Sequence, residues 1–344
     1  MSSERPASGF VAIGRNEGDR LKRCLTSLVR EGGPVVYVDS GSTDGSGDFA
    51  RSIGVDVVDL DTSEGFTMAR GRNAGWRRLL EAHPDLEWVH FIDGDCELVE
   101  GWFGKAAEFA AGRSDLAAVC GRRTERFPRA SVYNLLCEIE WNTPVGEAKA
   151  CGGDVLMRVE ALRAAGGFNE GLIAYEEPDL CRRLRALGWK IWRLDGDMTL
   201  HDANIHRLGQ WWKRHERAGY GVSFIADLCH AEGDDAAARQ FGQQVKSSRH
   251  WVLGVSAALV GGVVVGAFLL GGIGAALALA AVAAIVLAQA LRIAKGIRSR
   301  SPDGSAAVVY GLFTMLAKIP QTLGQRRYAK DRAKGKKAQI IEYK

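Results

Sequence analysis

A chain of 344 residues with 47% apolar content is long enough for one large domain and a smaller module. Its seven cysteines are scattered with no CxxC pair, which excludes a cysteine-built metal ribbon and fits reduced thiols in a cytosolic compartment. The formal charge of +4 hides an asymmetry: residues 292–344 hold thirteen Lys/Arg against three Asp/Glu, a net of +10, so the first 291 residues carry −6.

The opening "MSSERPASGF" has no apolar signal core, so no secretory signal peptide is expected. "GFVAIG" (9–14) then reads as a strand. "DRLKRCLTSLVR" (19–30) gathers Leu21, Cys24, Leu25 and Leu28 on one helical face. "PVVYVD" (34–39) and "VDVVDL" (55–60) are further strands, "MARGRNAGWRRLLEAH" (68–83) a helix, and "LEWVHFID" (86–93) a strand again. This alternation predicts an α/β domain with a mostly parallel sheet and helices on both faces. Ligands of such sheets gather beyond the carboxyl ends of the strands. Three apolar runs end there in polar clusters: "GRNE" (14–17), "DSGSTDGS" (39–46) and "DGDCE" (93–97).

Asp93 and Asp95 are two apart, and alternate side chains of a strand share a face. Two hard oxygen ligands near one point suit Mg²⁺ or Mn²⁺ bridging substrate phosphates. Gly94 between them lets the chain turn and a bulky ligand approach. Asp39 can cap a turn or hold a ligand. Further on, "EEPDL" offers Glu176, Glu177 and Asp179, with Pro178 suited to a first helical turn that such carboxylates also favour. "IHRLGQWWKRHERAGYG" (205–221) sets Trp211, Trp212, Arg214 and Arg217 at helical spacing. It could close over a diphosphate, stack on a sugar or dock on a membrane.

Residues 251–291 carry no formal charge. As continuous helix they would reach about 60 Å, twice a bilayer's hydrocarbon thickness. Gly271-Gly272 at the midpoint predicts a hairpin of two crossings. Gly262 and Gly266 form a GxxxG and the second arm is alanine-rich, so the arms can approach closely. A buried soluble hairpin is the alternative. Lys246 and Arg249 before it, and Arg292, Lys295, Arg298 and Arg300 after it, put both ends on the cytosolic side. Ala306–Ala317 is too short to span; Lys318 and Pro320 end it and "QRRYAKDRAKGKK" follows. An in-plane amphipathic helix with a basic tail is expected, or else a helix packed on the globular domain. The expected domains are 1–230 catalytic, 231–250 linker, 251–291 transmembrane hairpin, and 292–344 interfacial helix and tail. The tail next to a membrane hairpin favours lipid over nucleic acid as its partner.

In order and spacing, "GRNE", "VVYVDSGSTDGS", "ARGRNAGW", "FIDGDCEL", "GGDVLMRVEALRAAGGFNE" and "YEEPDLCRRLRALGWKI" together resemble family 2 glycosyltransferases, the inverting enzymes of the GT-A fold. The resemblance covers roughly residues 9–225. It implies a nucleotide-sugar donor and a divalent metal; the hairpin and basic tail, rather than any acceptor motif, point to a lipid-linked or cell-envelope glycan acceptor. The hairpin with its basic flanks places such an enzyme on the cytosolic face of the inner (plasma) membrane. By resemblance Arg15, Glu17 and Asp39 would line the nucleoside pocket, Arg72 would approach the nucleotide, and Asp93 would face the ribose and metal. Asp95 would ligate the metal, with His201, or its rival His206, completing the site. Glu177 stands where the family has a catalytic aspartate and would be the base, with Asp179 as second choice. A sugar-nucleotide nucleotidylyltransferase would need a Gly-rich phosphate loop that "VAIGRNEGDR" does not supply. A non-catalytic membrane scaffold with a relic transferase domain is the remaining alternative.

Overall fold

The computed structural model describes residues 7–63 and 65–342. The first six residues of the segment read for a signal core, Glu64, and the last two residues of the basic tail lie outside the described residues. The chain divides into two compact units, one running to His206 and taking in Ala338–Ile340, the other beginning at Arg207.

The first unit is a nine-stranded sheet flanked by helices. Its first half is the expected repeat: β1 (Ser8–Gly14), α1 (Asp19–Val29), β2 (Val35–Asp39), α2 (Ser46–Ser52), β3 (Asp56–Asp59), α3 (Met68–Ala82) and β4 (Trp88–Asp93). β1 pairs in parallel with both β2 and β4, and β2 with β3. Beyond β4 come β5 (Cys96–Leu98), α4 (Trp102–Ala110), β6 (Leu116–Glu125), α5 (Val132–Trp141), β7 (Gly146–Glu147), β8 (Val155–Arg158), α6 (Val159–Ala165), α7 (Glu176–Ala186) and β9 (Lys190–His201). The strand order is β3-β2-β1-β4-β8-β6-β9-β5, with β7 on β9. The second half is mixed: β8 runs antiparallel to β4 and β6, and β5 and β7 to β9, while β6 and β9 are parallel. The sheet is therefore mixed rather than mostly parallel, because the βαβ rhythm stops at β4.

The core holds Phe10, Val11, Tyr37, Val38, Phe91 and Ile92, all essentially inaccessible to solvent. α3 is pressed onto this layer at Gly75, where a Cβ would collide with Val11. Thr67 starts the helix by accepting the Arg70 amide on its Oγ1 at 3.1 Å.

The second unit is helical: α8 (Leu208–Ala231), α9 (Asp235–Gly296) and α10 (Gly304–Ala333). α9 is two arms, joined where Leu270 and Gly271 leave helical geometry (Gly271 φ 61°). The arms fold back on each other with Gly266 and Gly274 in backbone contact and no room for a Cβ on either. Leu253, Val260, Val264, Phe268, Leu269 and Ile273 are exposed along this hairpin. By length and composition α9 and α10 are each apolar enough to cross a membrane.

α10 differs from its expected form. Lys318 and Pro320 do not end it; the helix runs through both to Ala333. An internal proline costs about 3 kcal/mol. That cost is offset by close packing on each side: Gly311 meets the Ala290 carbonyl of α9, and Gly324 meets Glu216 of α8. α8, placed with the catalytic domain by its sequence, belongs to this helical unit.

Candidate active site at the strand ends

Two polar loops leave the ends of β1 and β2 and clasp each other. The Asn16 amide donates to Ser42 Oγ at 2.9 Å, the Thr43 amide to Asn16 Oδ1 at 2.7 Å, and the Gly18 amide to Asp44 Oδ2 at 2.9 Å. Asn16 takes a left-handed conformation (φ 55°) to allow this. Asp39, 6% exposed, receives the Ser42 amide on Oδ1 at 2.8 Å, so one of its oxygens shapes the turn. Arg15 lies over the Phe66 ring at 4.7 Å. Glu17 is paired with Arg20 at 2.7 Å.

Beside this clasp sits a buried network of charge. Arg72, 2% exposed, donates to Asp93 Oδ1 at 2.7 Å and to Glu176 Oε1 at 2.8 Å. Arg123 donates to the other Asp93 oxygen at 3.0 Å and to Asp154 at 2.9 Å. Asp154 also accepts the Asp93 amide at 3.0 Å and the Thr199 hydroxyl at 2.7 Å. Burial works against the charge on Asp93, yet Arg72 and Arg123 hold its carboxyl far below the ordinary carboxylate range. Gly153 lets the 151–154 loop lie on this network, since a Cβ there would strike the Arg72 guanidinium. The next residue of α3, Asn73, is pinned to the 167–170 loop through the Phe168 amide (3.0 Å), the Phe168 carbonyl (2.8 Å) and Glu170 (2.7 Å). "ARGRNAGW" is thus a packing and bracing element, with Arg72 as its reach into the site.

Asp95 has other company. β4 ends at Asp93, and Gly94-Asp95 is a turn whose Gly94 amide bonds the Ile13 carbonyl at 2.7 Å. The two aspartates are therefore not neighbours on one strand face. Register brings Asp95 its partners: Cys96 pairs with His201 across β5 and β9, and Glu125 pairs with His201 across β6 and β9. His201 Nε2 lies 3.3 Å from Asp95 Oδ2, and its Nδ1 lies 3.2 Å from Glu125 Oε2. Glu125, 2% exposed, also receives the Ala203 amide at 3.1 Å and the Asn134 side chain at 3.2 Å. Trp141 closes the site edge-on to His201, with ring centroids 4.4 Å apart.

Asp95, Cys96 and His201 offer ligand atoms all within 4.8 Å of one another. Burial lowers the His201 pKa despite Glu125, so the ring is neutral at physiological pH. With Nδ1–H given to Glu125, Nε2 turns a lone pair on an Asp95 oxygen. A cation between them relieves that opposition, and a carboxylate behind a metal-binding histidine is the usual support for one. Burial pushes the Cys96 thiol well up, and its Sγ lies 3.5 Å from Asp95 Oδ1 as a donor rather than a ligand. The residues present thus fit a hard divalent ion on Asp95 and His201. His206 is exposed, 3.0 Å from Asn204, and apart from this cluster.

On α7 the three acidic residues divide. Glu176 is bonded to Arg72. Asp179, 1% exposed, is held by Arg182 and Arg183, each at 2.9 Å. Glu177 is half-buried; burial, then the charge of Glu176, push its carboxyl up to about 7. Tyr175 before it is left-handed (φ 69°), an uncommon state for a tyrosine that fixes where the helix begins.

Sequence reasoning passed over Arg123, Asp154, Glu125 and Trp141. Glu125 carried a usable signal: it ends the run "LAAVCGRRTE", as Asp39 and Asp93 end theirs.

The model of the family described as glycosyl transferase family 2 matches residues 11–150. Among curated proteins the chain is similar to succinoglycan biosynthesis protein ExoA of Rhizobium meliloti (strain 1021). The two are 25% identical over 215 residues, 59% of this chain and 62% of that protein, so the chain spans less than two thirds of this relative. Among solved structures it is similar in fold to the mannosyltransferase PcManGT from Pyrobaculum calidifontis, in complex with GDP-Man and Mn²⁺. There the TM-score is 0.59 at 19% identity, covering 91% of this chain and 88% of that one.

Proposed function

The chain carries a family 2 glycosyltransferase domain, and from that premise we propose that it transfers a sugar with inversion from a nucleotide donor to a lipid-linked or cell-envelope glycan acceptor, with a divalent metal and Glu177 as base. The observation that carries the reading is the meeting of Asp95 with His201, oriented from behind by Glu125. Mg²⁺ or Mn²⁺ held there would neutralise the charge developing on the departing nucleoside diphosphate. Asp39 and Arg15, at the ends of β2 and β1, face the nucleoside, and Glu17 steadies that loop through Arg20. Arg72 and Asp93 form the floor, already charge-balanced, against which the donor's diphosphate and ribose settle.

Glu177 takes the proton from the acceptor hydroxyl as that oxygen attacks the anomeric carbon. A carboxyl near pH 7 is both available as base and strong enough to accept the proton. Asp179 is fixed by two arginines and supports the helix instead. The exposed apolar hairpin supports membrane attachment through two crossings, and with it an acceptor carried in lipid. The similarity to a succinoglycan biosynthesis protein supports a glycan product.

Thermal stabilisation by a panel of UDP, GDP, dTDP and CMP sugars, with and without Mn²⁺, tests the reading. One nucleotide class is expected to raise the midpoint only with metal. Asp95→Asn and His201→Ala are expected to abolish the metal-dependent part. Metal-independent binding that survives both changes would sink the proposed centre.

A further inference from the structure

We infer that α10 is not a third membrane crossing. It lies flat on one face of the bilayer, with Leu312, Leu316, Ile319 and Leu323 in the acyl boundary and its basic end on anionic headgroups. This rests on the hairpin reading above and goes beyond it.

The first support is where α10 touches α9. Gly311 packs on Ala290 of the second arm. Lys318 Nζ reaches Ser247 Oγ at 3.1 Å, Gln321 Oε1 accepts from Ser248 Oγ at 2.9 Å, and Gln325 Oε1 accepts from Arg249 Nε at 3.0 Å on the first arm. Both contact points lie roughly 20 residues from the Leu270–Gly271 turn, about 30 Å of helix, which is one hydrocarbon thickness. α10 therefore meets the two arms at a common level, the base opposite the turn.

The second support is the angle. Ser247, Ser248 and Arg249 are consecutive and rise only about 3 Å along α9, whereas Lys318, Gln321 and Gln325 spread over about 10 Å of α10. Helices lying alongside each other would match equal lengths. These three contacts advance unequally along the two helices, so α10 is inclined to the first arm, and if the arms stand along the bilayer normal, α10 leans toward its plane.

The third is the outward face. Leu312, Leu316, Ile319 and Leu323 are 42%, 37%, 41% and 41% exposed at spacings of four, three and four, a single helical stripe. The opposite face is buried, through Ala307, Ala317 and Gln325. The stripe is continuous in kind with the hairpin's bare apolar surface. It passes at Arg326 and Lys330 into exposed cations, the complement of anionic phospholipid. α8 shares this placement, running beside α10 from Trp211 against Phe313 (5.3 Å) to Asp227 against Arg332.

The test uses the full chain reconstituted in vesicles of phosphatidylcholine with or without phosphatidylglycerol. Single replacements Leu312→Cys, Leu316→Cys, Ile319→Cys and Leu323→Cys carry a fluorophore, quenched by lipids spin-labelled at shallow or deep positions. The unsubstituted chain gives the labelling background. Equal, shallow quenching at all four sites is expected, strengthened by phosphatidylglycerol at 323. A depth gradient overturns the proposal, because a crossing helix would separate 312 and 323 by about 16 Å. Absence of quenching at all four overturns it too, in favour of a protein covering the face. Indifference to phosphatidylglycerol removes its headgroup half. Val260→Cys on the hairpin is the control: if it is not deeply quenched, the hairpin reading has failed, not the placement of α10.

Discussion

Two pairs of acidic residues, each separated by one position, are treated in opposite ways by this fold. Arginines hold Asp93 and Asp179; two residues away from each, Asp95 lies 3.3 Å from His201 and Glu177 is half-buried beside Glu176. One member of each pair holds the rim together, and the other is the one we propose for chemistry. A carboxylate already bonded to two guanidiniums gains little from a metal or a proton. One facing a histidine lone pair, or held half-buried beside another carboxylate, gains much.

The sharpest way to break this contrast is Glu177→Gln. Loss of a general base is expected to lower kcat by about 10²–10⁴-fold, with donor binding retained in calorimetry. The acidic limb of the rate profile near pH 7 should vanish. Stability gives the sign independently. Folded Glu177 keeps its proton to about 7, above the unfolded value of 4.5, so its contribution is full below pH 4.5 and lost as pH rises through 7. The variant should flatten that fall in denaturant midpoints.

Asp179→Asn should do the reverse, costing about 3–5 kcal/mol in urea melts by stranding buried arginine, while leaving the pH limb in place in whatever protein remains folded. Glu125→Gln sits between the two. It should weaken Mn²⁺ binding about 10–100-fold by removing the charge behind His201, read by paramagnetic titration without turnover. Thr67→Ala, away from both pairs, is expected to cost only about 1 kcal/mol through the lost cap on α3, checked by thermal melting with Mn²⁺ affinity unchanged.

The rims were legible because polar residues ending apolar runs mark strand ends whatever the fold around them. The division within each pair was not. It depends on a turn at Gly94-Asp95 and on β9 arriving between β5 and β6, both set by strands far apart in sequence. Arg123 and Asp154 come from that later, mixed half of the sheet, where the βαβ rhythm no longer helps. The hairpin could be read from its missing charges and its glycine pair. The continuation of α10 past Pro320 could not, because glycine contacts with two other helices overrule a local breaker.

Tyr175 carries one last consequence. A side chain forced into left-handed geometry stores about 1–3 kcal/mol, which glycine at the same place would release. That cost sits at the entry to the first turn of α7, the turn that carries Glu177, our proposed base, and sets the direction in which it points.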